Sequence, residues 1–68
     1  MISIQVNGEP YVCRFPAQNV SDLIRDLSLE GKRIAIERNG EIVPRSKHSE
    51  TVLVDGDKIE VVAAVGGG

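Results

Sequence analysis

Two Asn-Gly dipeptides, Asn7-Gly8 and Asn39-Gly40, each stand between short apolar segments. A two-residue type I′ turn needs positive φ at both central positions, and Asn-Gly accepts this at little steric cost. Each dipeptide therefore predicts a β-hairpin with a determined register, and this constrains the chain more than any other feature. In the first hairpin Val6 faces Glu9, Ile4 faces Tyr11 and Ile2 faces Cys13. Opposed residues share a face, so Tyr11 and Cys13 join Ile2, Ile4 and Val6 on the apolar side. Pro10 has no N–H to give a ladder, which makes residues 9–15 an edge strand. In the second hairpin Ile36 faces Val43 and Glu37 faces Ile42. Ile34 and Ile36 point inward there, Ala35 and Glu37 outward, and Pro44 ends the returning strand.

Between the hairpins the period changes. Val20, Leu23, Ile24 and Leu27 fall at i, i+3, i+4 and i+7, which predicts a short helix over about residues 20–28. Asn19 stands at its N-cap, with Asp22 placed to complement the free N–H groups of the first turn. Asp22, Arg25 and Asp26 face water, Gly31 marks the end region, and Leu29 packs beneath the loop. After the second hairpin, Arg45 to Glu50 reads as a loop or a single helical turn, and Thr51 to Val54 as a short extended piece. Asp55-Gly56-Asp57 is a turn into a final strand, where Ile59, Val61, Ala63 and Val65 alternate with Lys58, Glu60, Val62 and Ala64. Gly66, Gly67 and Gly68 follow, and a run without side chains has nothing to pack. The expected organisation is one domain over residues 1–65 with a flexible glycine tail over 66–68, which carries a free carboxylate. The fold class is α+β, a mixed four- or five-stranded sheet with one helix packed on one face, and the β-grasp arrangement satisfies it.

Composition narrows the function. At 41% hydrophobic and 26% charged residues the chain is globular. Its net charge of −2, with both signs interspersed, offers no basic stripe for nucleic acid. No apolar run nears the ~20 residues of a membrane span. A single cysteine, Cys13, precludes an internal disulfide and fits a reducing compartment, so the expected location is cytoplasmic. A chain of 68 residues has little room for a substrate cleft, which favours a carrier or binding module over an enzyme.

The individual candidates read mostly as structural. Cys13 falls on the buried face as a small inert thiol. His48 is the sole histidine and reads as a solvated loop residue, with no catalytic or metal-ligating spacing around it. Asp55 and Asp57 bracket a glycine in an ordinary turn, without the further carboxylates of a calcium loop. Two features point to function. One is the glycine tail. The other is the outer sheet face, where Ile42, Val62, Ala64 and Val12 point away from the helix and form a candidate docking surface.

The segments ISIQVNGEPY, NVSDLIRDL, RIAIERNGEIVPRS and DGDKIEVVAAVGGG together resemble the ThiS family of sulfur carriers of thiamine thiazole biosynthesis, over essentially the whole chain. The resemblance implies a ubiquitin-like β-grasp fold and a carrier without catalytic residues or a bound cofactor. A ThiF-like adenylyltransferase would use ATP and Mg to adenylate the C-terminal carboxylate. Sulfur from a donor such as a cysteine desulfurase would then replace AMP, and the resulting thiocarboxylate would serve the thiazole synthase ThiG. Carried onto this chain, the thiocarboxylate falls on Gly68, with Gly66 and Gly67 as the slim tail. Family tails usually end in two glycines, and three stand here. The alternatives are a carrier like the small subunit of molybdopterin synthase and a non-covalent β-grasp interaction module. The shorter chain and the NGEIVPR hairpin favour the first reading.

Overall fold

Both Asn-Gly turns form as their backbone preferences demand, with φ of 51° and 81° at Asn7 and Gly8 and of 51° and 88° at Asn39 and Gly40. The computed structural model describes residues 1–63. The first turn joins β1 (Ser3–Val6) to β2 (Glu9–Val12), and the second joins β3 (Ile34–Arg38) to β4 (Glu41–Val43). Both predicted registers hold, with Val6 opposite Glu9, Ile4 opposite Tyr11, Ile36 opposite Val43 and Glu37 opposite Ile42. β5 (Lys58–Ala63) enters between the hairpins, parallel to β1 and antiparallel to β3. The result is a five-stranded mixed sheet in the order β2-β1-β5-β3-β4, with α1 (Val20–Asp26) packed on one face. This is the β-grasp arrangement.

The turn asparagines do more than turn the chain. Asn7 Oδ1 accepts from the Val61 N–H at 2.7 Å, and Asn39 Oδ1 accepts from the Lys58 N–H at 2.9 Å. Their backbone N–H groups donate to Ile59 O at 2.9 Å and Lys58 O at 2.8 Å. β5 is therefore clasped from both flanks by the two turns. Ile59 is fully buried in its centre and joins Ile4, Val20, Leu23, Ile36 and Leu53 in the core.

The helix begins as expected. Asn19 Oδ1 accepts from Asp22 N at 2.8 Å, and Asp22 Oδ2 accepts from Asn19 N at 3.0 Å, a reciprocal capping box. It ends earlier than its apolar spacing predicts, at Asp26 instead of 28. Ser28 adopts φ of 60°. The Ser28 N–H donates to Arg25 O at 3.0 Å and the Leu29 N–H to Ile24 O at 2.9 Å, the two bonds of a Schellman terminus. A serine thus fills the left-handed position for which glycine was the expected marker.

Strand β2 is also shorter than its predicted span of 9–15. The Cys13 N–H still reaches Ile2 O at 2.8 Å, but the Arg14 N–H turns to the Gln18 side chain, with Oε1 accepting at 2.6 Å. Gln18 is buried, and its Nε2 donates to Tyr11 Oη at 3.0 Å while its carbonyl accepts from Leu53 N at 2.8 Å. This glutamine replaces the missing ladder and ties the 51–54 segment beneath the helix.

Two readings of single residues are corrected. His48 is not a solvated loop residue: it is buried, and its Nε2 lies 3.1 Å from Val43 O. The short 3₁₀ turn Arg45–Lys47 folds the chain back under β4, so the ring caps a strand carbonyl that water would otherwise have to satisfy. Asp57 is no ordinary turn residue. It is buried, and its carboxylate accepts from Arg38 Nε at 3.0 Å, Asn39 Nδ2 at 3.1 Å and Val54 N at 2.9 Å. Its neighbour Asp55 is exposed and accepts only from Ser3 N at 2.8 Å.

Asp57→Ala leaves Arg38, Asn39 and Val54 without their acceptor, and its expected cost is about 3 kcal/mol. Asp55→Ala should cost about 1 kcal/mol, the value of a single exposed bond. Urea unfolding of the two variants checks the contrast, and equal losses would remove the hub role from Asp57. A second expectation concerns acid. Tyr11 Oη donates to Asp26 Oδ2, and this bond, helped by Arg14, holds the Asp26 carboxyl below its ordinary range. A depressed carboxylate stabilises the fold above its unfolded pKa and loses that contribution as pH falls through the folded one. Tyr11→Phe should therefore flatten the loss of stability on acidification below about pH 4, read from melting temperature against pH.

Candidate functional site

The central strand sets the position of whatever follows it. β5 is paired on both sides, and its last residue, Ala63, stands opposite Ile34 on β3. Gly66, Gly67 and Gly68, and with them Ala64, lie outside the described residues. The candidate site therefore consists of the exit of β5 and the sheet face that surrounds it.

On the face away from the helix, Val62 lies opposite Ala35, and Ile42 lies opposite Glu37, which in turn opposes Glu60. Period-two alternation puts these five on one side. Val62 is 48% and Ile42 61% exposed, so two large apolar side chains stand in water beside two carboxylates. Val12 is exposed too, but it does not join them. It pairs with Ser3, two residues before Gln5, the partner of Lys58. Val12 is therefore level with position 56, about 20 Å along the sheet from Val62 at ~3.3 Å per residue. The outer apolar face is two patches, and only the one holding Ile42 and Val62 borders the exit of β5.

Cys13 lies on the core side of β2, half-buried against the cluster. Burial, followed by the charges of Asp57 and Asp55, pushes its thiol pKa up, which lowers the fraction of nucleophilic thiolate. Among the described residues no three of His, Cys, Asp and Glu gather as a metal site. No described helix is long and apolar enough to cross a membrane. What this geometry offers is a strand exit, paired to β3 up to Ala63, beside an apolar, acid-flanked face.

The ThiS family model matches residues 4–68. This chain belongs to the ThiS family. It is 37% identical to the sulfur carrier protein ThiS of Bacillus subtilis over 65 residues, covering 96% of this chain and 98% of that one. A thiazole synthase of Paramagnetospirillum magneticum is 40% identical over 68 residues, which are 98% of this chain and 20% of that protein. The crystal structure of the thiamine biosynthesis protein ThiS from Geobacter metallireducens superposes with a TM-score of 0.83 at 30% identity, covering 98% of this chain and all of that one. The fold of this ThiS-family chain is thus the β-grasp of its solved relative.

Of the residues singled out from sequence, Ile42 and Val62 come together at the exit of β5, and Val12 stands apart. Glu37 and Glu60 were missed as members of that face, although the hairpin register already put Glu37 opposite Ile42. Cys13→Ala should fold, at a cost of about 1 kcal/mol for one heavy atom at a half-buried site, and, if the chain is loaded with sulfur at its C-terminus, should still accept it. Thermal melting and intact mass check both parts. A folded variant that never gains sulfur would make Cys13 a participant.

Proposed function

We propose that this protein carries sulfur for thiazole formation in thiamine biosynthesis, as a thiocarboxylate on Gly68. The observation that carries the reading is the family match, which runs through the terminal glycines. An α-carboxyl ionises at a pKa of ~3.3–3.7, so at neutral pH it is an anionic nucleophile without any base to activate it. One carboxylate oxygen attacks the α-phosphorus of ATP, pyrophosphate leaves, and the tail becomes an acyl adenylate. The terminal sulfur of a donor persulfide, such as that of a cysteine desulfurase, then attacks the acyl carbon and AMP leaves. A thiol attacks the donor's sulfur in the resulting acyl disulfide, which releases the thiocarboxylate and leaves the donor joined to that thiol as a disulfide.

In this reading the carrier itself is not an enzyme and holds no cofactor. A ThiF-like adenylyltransferase supplies the ATP and Mg site, and the thiazole synthase ThiG receives the sulfur. Similarity to a stretch of a thiazole synthase supports that second partner. Gly66 and Gly67 have no Cβ, so the thread they form passes a narrow channel that any other residue would obstruct. Ile42, Val62 and Ala64 dock the adenylyltransferase. Apolar side chains exposed on an uncovered sheet face gain by burial in a partner, and the flanking Glu37 and Glu60 favour a basic rim opposite them. The single thiol and the need for ATP support a cytoplasmic location in this reading.

One alanine added after Gly68 tests the tail. It moves the carboxylate by up to ~3.6 Å and adds a Cβ, and a misplacement of about 1 Å already costs on the order of 10²-fold in rate. ATP–pyrophosphate exchange with the activating enzyme should collapse while the melting temperature holds. Near-normal exchange by the extended chain would remove Gly68 as the chemical site.

A further inference from the structure

The two turn asparagines hold β5 unequally. On the β3 flank, pairing runs from Arg38 opposite Ile59 to Ile34 opposite Ala63. Asn39 bonds to Lys58 at the start of that run, and the backbone ladder continues without it. On the β1 flank the ladder is short. Gln5 stands beside Lys58 and Val6 beside Ile59, and the Asn7-Gly8 turn then carries the chain away. Alternate residues of a strand present their backbone groups to the same neighbour. Ile59 O accepts from Asn7 N, so Val61 and Ala63 are the next residues to face that side. No described strand pairs with them there.

Asn7 fills the first of these places with a side chain. Its Oδ1 accepts from the Val61 N–H at 2.7 Å, while its own N–H donates to Ile59 O at 2.9 Å. The turn alone does not ask for this. Glycine at position 7 would satisfy a type I′ turn equally well, and so would aspartate. Only a residue with a side-chain acceptor also continues the ladder. Peeling of Val61 to Ala63 from the sheet would add three residues to whatever a partner has to order on binding. Apparent affinity falls with the fraction of molecules already in the competent form.

We propose that Asn7 is a positioning residue for adenylation of the tail: its bond to Val61 keeps the end of β5 in the sheet, so that the activating enzyme meets a carrier already ordered to Ala63. The inference rests on the carrier reading above. Asn7 touches no reacting group and acts through Val61. Order present before encounter does not have to be supplied by the binding energy, so the residue acts on the KM for the carrier and leaves the chemical step alone.

The test compares full-length Asn7→Gly, Asn7→Asp and Asn39→Gly with the wild-type chain. Hydrogen exchange of the Val62 amide, which faces β3, reports whether the strand end peels. ATP–pyrophosphate exchange against carrier concentration gives KM and kcat, and thermal melting gives stability. In Asn7→Gly the Val62 amide should exchange about tenfold faster relative to that of Ile36. Its KM should rise about fivefold or more, with kcat within about twofold of wild type. Asn7→Asp keeps the acceptor and should restore both. Asn39→Gly loses bonds to Lys58 and Asp57, so it should melt below Asn7→Gly and yet keep the wild-type KM. Loss of stability alone would not produce this crossed order. Should Asn7→Gly melt too low for assay, Ala17→Gly, which relieves a left-handed φ of 60° outside the sheet, supplies a more stable background. A KM for folded Asn7→Gly within about twofold of wild type overturns the proposal, as does an equal rise in Asn39→Gly. A wild-type chain that gives no exchange overturns the carrier reading and this inference with it.

Discussion

The structure depends on how β5 is held. A strand in the middle of a mixed sheet must satisfy its backbone groups on both edges, and each unpaired one would cost about 1–3 kcal/mol. β1 pairs with its first two residues and β3 with the rest, and the asparagines of the two hairpin turns add bonds at Lys58, Ile59 and Val61. Asp57, just before the strand, gathers Arg38 and Asn39 of the second hairpin and the Val54 N–H. Register, strand entry and turn geometry are thus one connected set of bonds.

This set explains how so small a protein holds its last described strand in place. β5 is held by both neighbours where it enters, at Lys58 and Ile59, and by β3 from there to Ala63. The helix and the 51–54 segment cover one sheet face through Val20, Leu23 and Leu53, so the other face stays open beside the exit. A carrier gains from this division. Under the proposed function, chemistry is left to partners and the fold contributes the strand from which the C-terminal residues continue.

Much of this was legible in the residues. Asn-Gly chemistry determined both hairpins to the exact register, since a two-residue turn with positive φ at both positions leaves no slack. The helix start was equally readable from Asn19 and Asp22, whose bonds are local. Its end was not, because Ser28 took a left-handed conformation for which glycine is the usual sign. The Ile42 and Val62 face followed from strand alternation. The distance of Val12 from it did not, since that depends on where β5 pairs with β1.

What the sequence by itself determined were the elements, their turns and the family, all of which rest on interactions within a few residues or on recurring segments. Tertiary structure alone decided the roles of Gln18, His48 and Asp57. Each is a polar residue in an irregular segment, and such residues normally sit in water. They are buried because segments distant in sequence close over them: the Leu53 N–H donates to the Gln18 carbonyl, the Ser21 N–H to the His48 carbonyl, and Arg38 and Asn39 of the second hairpin to the Asp57 carboxylate. The gathering of Arg25, Lys32, Arg33 and Arg45 in one cleft is of the same origin. Their charges are spread over some twenty positions of chain, and only the packing of the 3₁₀ turn against the end of α1 brings them together.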